Sequence, residues 1–163
     1  MDGEASELLR AAIEEVSSQT ENGNSLHRDL SREDIAILYT LGYNLYQIGD
    51  YAQAKTIFQQ LILARPMEQK YWIGLGSVLQ MQKNYSRALT AWGMAALLLD
   101  TDPVPHFHAA ECLLSLGEVD EAFKAFQAAK QRMNEGTENP SLMHKIEAFQ
   151  EAWQKITKKE EIS

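Results

Sequence analysis

Three residues within seven positions could bind a metal: His106, His108 and Cys112. His108 and Cys112 stand one helical turn apart and could share a ligand face. His106 is two residues from His108 and points elsewhere, so the expectation is that no metal is held. Cys112 then reads as a buried small hydrophobe. Gly74 and Gly76 lack the following lysine–serine pair of a phosphate loop. The acidic pairs Glu14–Glu15 and Asp120–Glu121 have no histidine or lysine at fixed spacing to tune them for proton transfer. They read as solvated helix faces. The chemistry-bearing residues therefore argue against an enzyme and call for no cofactor.

A different set is better suited to binding. In "YTLGYNLY", Tyr39, Tyr43 and Tyr46 fall on one helical stripe, while Leu38, Leu41 and Leu45 form a second. A helix on the outside of a small globule needs only one apolar stripe. The tyrosine stripe must face something else.

The elements that position it follow from a period of 34 residues. Leu38, Trp72 and His106 share a column, as do Leu41, Leu75 and Ala109; Gly42, Gly76 and Ala110; and Leu45, Leu79 and Leu113. The second half of the unit repeats as Ala54, Ala88 and Ala122, then Phe58, Trp92 and Phe126, then Leu61, Ala95 and Ala129. Turns at "IGDY", "QKNY" and "LGEV" separate the halves. This is the tetratricopeptide pattern, of which residues 71–95 are the best copy. The expected fold is all-α: three tandem helix-turn-helix repeats stacked as a solenoid. Small residues at Gly42, Gly76 and Ala110 permit close helix approach, and Phe58, Trp92 and Phe126 fill the space left open.

Flanking elements complete the expectation. Residues 1–30 hold an N-terminal amphipathic helix and linker, 31–136 the three repeats (about 35–68, 69–102 and 103–136), and 137–163 a C-terminal capping helix and polar tail. Leu9, Ile13 and Val16 form a helical stripe. Polar residues 17–25 read as a loop. Ser31 with Asp34 signals a capping box, and Asn139–Pro140 a cap and first turn. Leu142, Ile146, Phe149, Trp153 and Ile156 would cover the last repeat.

In such a stack the first helix of each pair lines the concave side. Its inward positions are Ala36, Tyr39, Tyr43 and Tyr46; then Lys70, Ile73, Ser77 and Gln80; then Val104, Phe107, Glu111 and Leu114. The groove is aromatic and aliphatic with sparse charge, suited to a peptide. The alternative is structural: the leading helix, or a second chain, fills it. A clamp for a C-terminal carboxylate would need Lys and Asn where Tyr39 and Tyr43 stand.

With 15 basic against 23 acidic residues, the formal charge is −8. That disfavours nucleic acid and anionic membrane surfaces as partners. A single cysteine excludes an internal disulfide and suits a reducing compartment. The start is acidic and unlike a secretory signal, and the longest apolar run, residues 92–99, is too short to span a bilayer. A cytoplasmic home is expected.

"LYTLGYNLYQIGDYAQAKTIFQQL" (38–61) and "PHFHAAECLLSLGEVDEA" (105–122) resemble the class II chaperones of bacterial type III secretion systems. The resemblance runs from about residue 25 to 155, and "FHAAECLL" is its most specific part. It implies a chaperone that holds a short extended segment of a hydrophobic, pore-forming translocator in the groove and keeps it soluble for export. Carried over by position, the groove residues are Tyr39, Tyr43, Tyr46, Ile73, Phe107 and Glu111. It further implies a homodimer in many members, often through the N-terminal segment; here the stripe of Leu9, Ile13 and Val16 could form that interface or pack on the first repeat. The competing expectation is a generic tetratricopeptide scaffold joining two folded proteins.

Overall fold

A computed structural model describes residues 3–20, 30–134 and 139–160. The expected loop residues 21–25, the side chain of Ile156 and the last three residues lie outside the described part. Helices follow one another as α1 (Gly3–Gln19), α2 (Arg32–Gln47), α3 (Tyr51–Ala64), α4 (Gln69–Met81), α5 (Tyr85–Leu98), α6 (Pro103–Ser115), α7 (Val119–Asn134) and α8 (Pro140–Glu160). There is no strand among the described residues. Helix α1 runs through Ser17, Ser18 and Gln19, which the polar composition had assigned to a loop. Likewise α8 continues to Glu160, into what reads as a tail.

Local signals place the starts. Ser31 Oγ accepts from the Asp34 amide at 3.1 Å while Asp34 accepts from the Ser31 amide at 2.9 Å, a complete capping box. Asp50 caps α3 through the Gln53 amide, and Asp102 caps α6 through the Val104 amide. Asn139 caps α8 through the Leu142 amide at 3.0 Å, with Pro140 at the first turn.

Pairs α2–α3, α4–α5 and α6–α7 pack as antiparallel repeats, and each second helix also meets the first helix of the next pair. The columns at period 34 form the core. Ala54, Ala88 and Ala122 are fully buried, and Phe58, Trp92 and Phe126 are nearly so. Close approach is enforced by glycine. A Cβ at Gly76 would lie 2.8 Å from the Trp92 ring, and one at Gly74 only 2.3 Å from Phe58. The Trp72 indole donates to the Pro66 carbonyl at 2.7 Å, closing the turn into α4. Gln69 donates both to the Ala95 carbonyl and to Asp102, tying the ends of α5 and α6 to α4.

The two ends differ. Helix α1 lies against α3 and α5, so it covers the second-helix side of the stack. Leu9, Ala12 and Val16 join the main core from that side. Nothing described stacks in front of α2, and Ile37 (66% exposed) and Leu41 (43%) remain open there. At the far end Leu142 and Ile146 of α8 enter a second cluster with Phe107, Ala110 and Phe126. Stacked rings, Phe126 on Phe149 and Phe123 on Trp153, fill the seam between α7 and α8.

A groove with an aromatic pocket and a polar station

Inward positions of α2 and α4 meet in a pocket of about 110 Å³. Its walls are Tyr39, Tyr43, Tyr46, Lys70, Ile73 and Ser77, and its floor is Phe58 beneath Gly74. Tyr39 stands edge-on to Phe58 at 6.3 Å and tilts against Tyr71 at 5.8 Å. Lys70 Nζ sits 4.9 Å from the Tyr39 ring centre and 5.4 Å from that of Tyr71. Tyr46 packs on Tyr51, and burial raises its phenol pKa, with the neighbouring Tyr51 and Tyr43 adding to the effect. Tyr43 is 52% exposed and forms the open lip. The volume suits one aliphatic side chain, not a helix. Helix α1 packs on the opposite side, so no described segment of the chain fills the pocket.

The next repeat is different in character. The Trp92 indole donates to Gln80 Oε1 at 3.1 Å, and Gln80 Nε2 donates to Glu111 Oε2 at 2.9 Å. His108 Nδ1 lies 2.7 Å from the same Glu111 oxygen, and its ring stacks on Trp92 with centres 4.7 Å apart. Four side chains from α4, α5 and α6 thus close into one ring of contacts. Burial pushes the Glu111 carboxyl pKa up. Hydrogen bonds from His108 and Gln80, with the charges of His108 and Lys145, outweigh that and hold it below the ordinary carboxylate value.

Of the six groove residues expected from sequence, Tyr39, Tyr43, Tyr46 and Ile73 come together in the pocket. Glu111 belongs to the separate polar station. Phe107 departs from the expectation. It is 3% exposed, packed with Ala110, Phe126, Leu142 and Ile146, and offers no groove surface. Its ring joins the buried cluster to which α7 contributes Phe126 and Ala129 and α8 contributes Leu142 and Ile146. Position counting placed Lys70 and Ser77 on the inward side, where they line the pocket, but missed Phe58 and Gly74, although Gly74 beside an aromatic core column was a usable signal. Leu9 and Val16 are buried within their own chain, and only Ile13 of that stripe is partly open. Leu9 and Ile13 also line a shallow recess with Arg10 and Met67.

The histidine–cysteine cluster gathers no ligand set. His108 is engaged by Glu111 and Trp92, and His106 Nε2 lies 3.7 Å from Asp100. Burial pushes the Cys112 thiol up to about 12, with the Glu111 charge adding, so the thiolate that a metal needs is disfavoured. Among the described residues no three His, Cys, Asp or Glu are placed to hold a metal.

A stack of helix pairs with an aromatic pocket on its first-helix face defines a tetratricopeptide groove protein. The family profile described as tetratricopeptide repeat matches residues 39–104. The chain is 32% identical over 124 residues to the low calcium response locus protein H of Yersinia pestis, covering 76% of this chain and 74% of that one. It is similar to PcrH solved with the chaperone binding region of PopB, at 35% identity and TM-score 0.71, covering 74% of this chain and 98% of that one. It is also similar to the Yersinia enterocolitica type III secretion chaperone SycD in complex with a peptide of the translocator YopD. There the identity is 29% and the TM-score 0.75, over 80% of this chain and 99% of that one. The chain belongs to this family of tetratricopeptide translocator chaperones of type III secretion.

Proposed function

We propose that this chain is a cytoplasmic chaperone for hydrophobic translocator proteins of a type III secretion system. It binds a short extended segment of the client in its groove and keeps the client soluble and export-competent. The observation that carries this reading is the pocket formed by Tyr39, Tyr43, Tyr46 and Ile73, open because α1 packs on the other side of the stack. The relatives solved with translocator segments support the class of client. An extended segment fits because the pocket accepts one side chain, and a strand presents alternate side chains to such a surface.

The protein acts by holding, not by turnover. The repeats are ordered before the client arrives, so little ordering is required of the chaperone on binding. The client segment loses its freedom instead, which moderates affinity and suits later release. Glu111 contributes a fixed acceptor to the same groove. Phe107 stands edge-on to His108, the Glu111 partner, with ring centres 5.6 Å apart. Homodimerisation is part of the proposal; the recess beside Leu9 and Ile13, with exposed Leu8 and Met67 nearby, supports a contact there better than the buried Leu9 and Val16 alone.

Tyr39→Ala/Tyr43→Ala/Tyr46→Ala tests the groove. Pull-down of the co-expressed translocator should fall at least about tenfold, equivalent to about 1.4 kcal/mol. Helical circular dichroism should change little. Undiminished retention by the triple variant would refute the assignment.

A further inference from the structure

Glu111 has the setting of a recognition group: a fixed, partly exposed carboxylate. Its side chain is 37% exposed, on the inward position of α6. Both protein donors, Gln80 Nε2 and His108 Nδ1, converge on Oε2. Oε1 has no hydrogen-bond partner among the described residues. His108, when protonated, pairs with Oε2 at 2.7 Å; Lys145 makes no ion pair with Glu111 within 4.0 Å, although its charge helps keep the carboxyl ionised. Both partners are themselves fixed, Gln80 by the Trp92 indole and His108 by stacking on the Trp92 ring. The carboxylate is therefore held in place with one face turned to the groove.

Among the described inward positions of α2, α4 and α6, no other is acidic. The other inward cation, Lys70, lies over the Tyr39 and Tyr71 rings beside the aromatic pocket. Along the row at period 34 the residues are Tyr43, Ser77, Glu111 and Lys145, so the surface passes from aromatic to small polar to anionic and then cationic. An apolar pocket alone does not set the direction of an extended segment. A fixed charge one repeat away does.

We propose that Glu111 is the specificity-determining residue of the groove, receiving a lysine or arginine side chain of the client segment while an aliphatic residue fills the Tyr39–Tyr46 pocket. This rests on the groove reading above and adds the chemical pattern of the client: one aliphatic anchor and one cation, in fixed order along the strand. A charge-assisted bond to a cation is stronger than one to a neutral amide. The formal charge of −8 draws cations toward the surface in the same sense. Ordering of Glu111 by Gln80 and His108 before binding lowers the cost of forming that bond.

The test uses the full chain and overlapping synthetic peptides covering the translocator that co-purifies with it. The tightest binder is remade with each Lys or Arg replaced by Met, and affinities are measured by calorimetry for the native chain and for Glu111→Gln. At one position the replacement should weaken binding to the native chain about tenfold, on the order of 1.4 kcal/mol, and Glu111→Gln should erase that loss. On the native chain alone, the advantage of the cationic peptide over its Met form should shrink as salt rises. That readout stands even where Glu111→Gln is poorly folded. A tightest binder without Lys or Arg, an equal loss in both chains, or a salt-independent difference would overturn the assignment. If those peptides still depend on Tyr39, Tyr43 and Tyr46, the groove reading survives and only the cation site fails. If they ignore the tyrosines as well, the groove reading falls with it.

Discussion

The 34-residue register places Gly49, Lys83 and Gly117 in one turn column, and all three have positive φ: 84°, 60° and 82°. Only Lys83 carries a side chain into this left-handed region, which costs an L-residue roughly 1 kcal/mol. Lys83→Gly should therefore raise the thermal midpoint, by up to several degrees for a domain of this size, read by circular dichroism. Glu111 gives a second residue-scale expectation. Its folded pKa lies below the ordinary 4.5, so its ionised form favours the folded state. That contribution is complete above about pH 4.5 and disappears as pH falls through the folded pKa. Glu111→Gln should flatten this part of the stability–pH profile, seen in urea melts across the acid range, and leave the profile near neutrality parallel to that of the native chain.

At the scale of helices, α3 and α4 approach at Gly74, where the Phe58 ring occupies the place of a side chain. The ring is walled in by the core and cannot retreat far. Gly74→Ala should cost about 1–3 kcal/mol by overpacking and should deform the pocket floor, lowering both the urea midpoint and client retention. Gly93 sits in a helix with open space around it, so Gly93→Ala serves as the paired control and should not destabilise. The repeat spacing made the Gly76 contact with Trp92 legible. It did not show Gly74, because that contact depends on where the Phe58 ring turns, and ring direction is set by the neighbouring helix.

Across the whole molecule the two sides of the stack have separate tasks. The second-helix side is closed by α1, with Leu9, Ala12 and Val16 buried and Arg87 4.0 Å from Glu15 at its edge. The first-helix side stays open at the tyrosines. The formal net charge of −8 favours dispersion of the chain in solution. Co-expression with an aggregation-prone translocator should raise its soluble yield several-fold, measured as the fraction in the supernatant, and the tyrosine triple variant should not. A scaffold joining two folded proteins would leave that fraction unchanged.

Sequence by itself determined what repeats and what is local: the 34-residue columns, the Ser31 and Asn139 caps, and the tyrosine stripe on the inward side of α2. Such features depend on helical period and on donors a few residues away, so they can be counted along the chain. Tertiary structure decided which side chains meet across helices. Gln80 reaches Glu111 over 31 positions, Phe107 joins the buried cluster shared by α7 and α8, and α1 takes the second-helix side of the stack. Those outcomes turn on rotamers and on competition between apolar faces for the same cover, and no spacing along the chain encodes either.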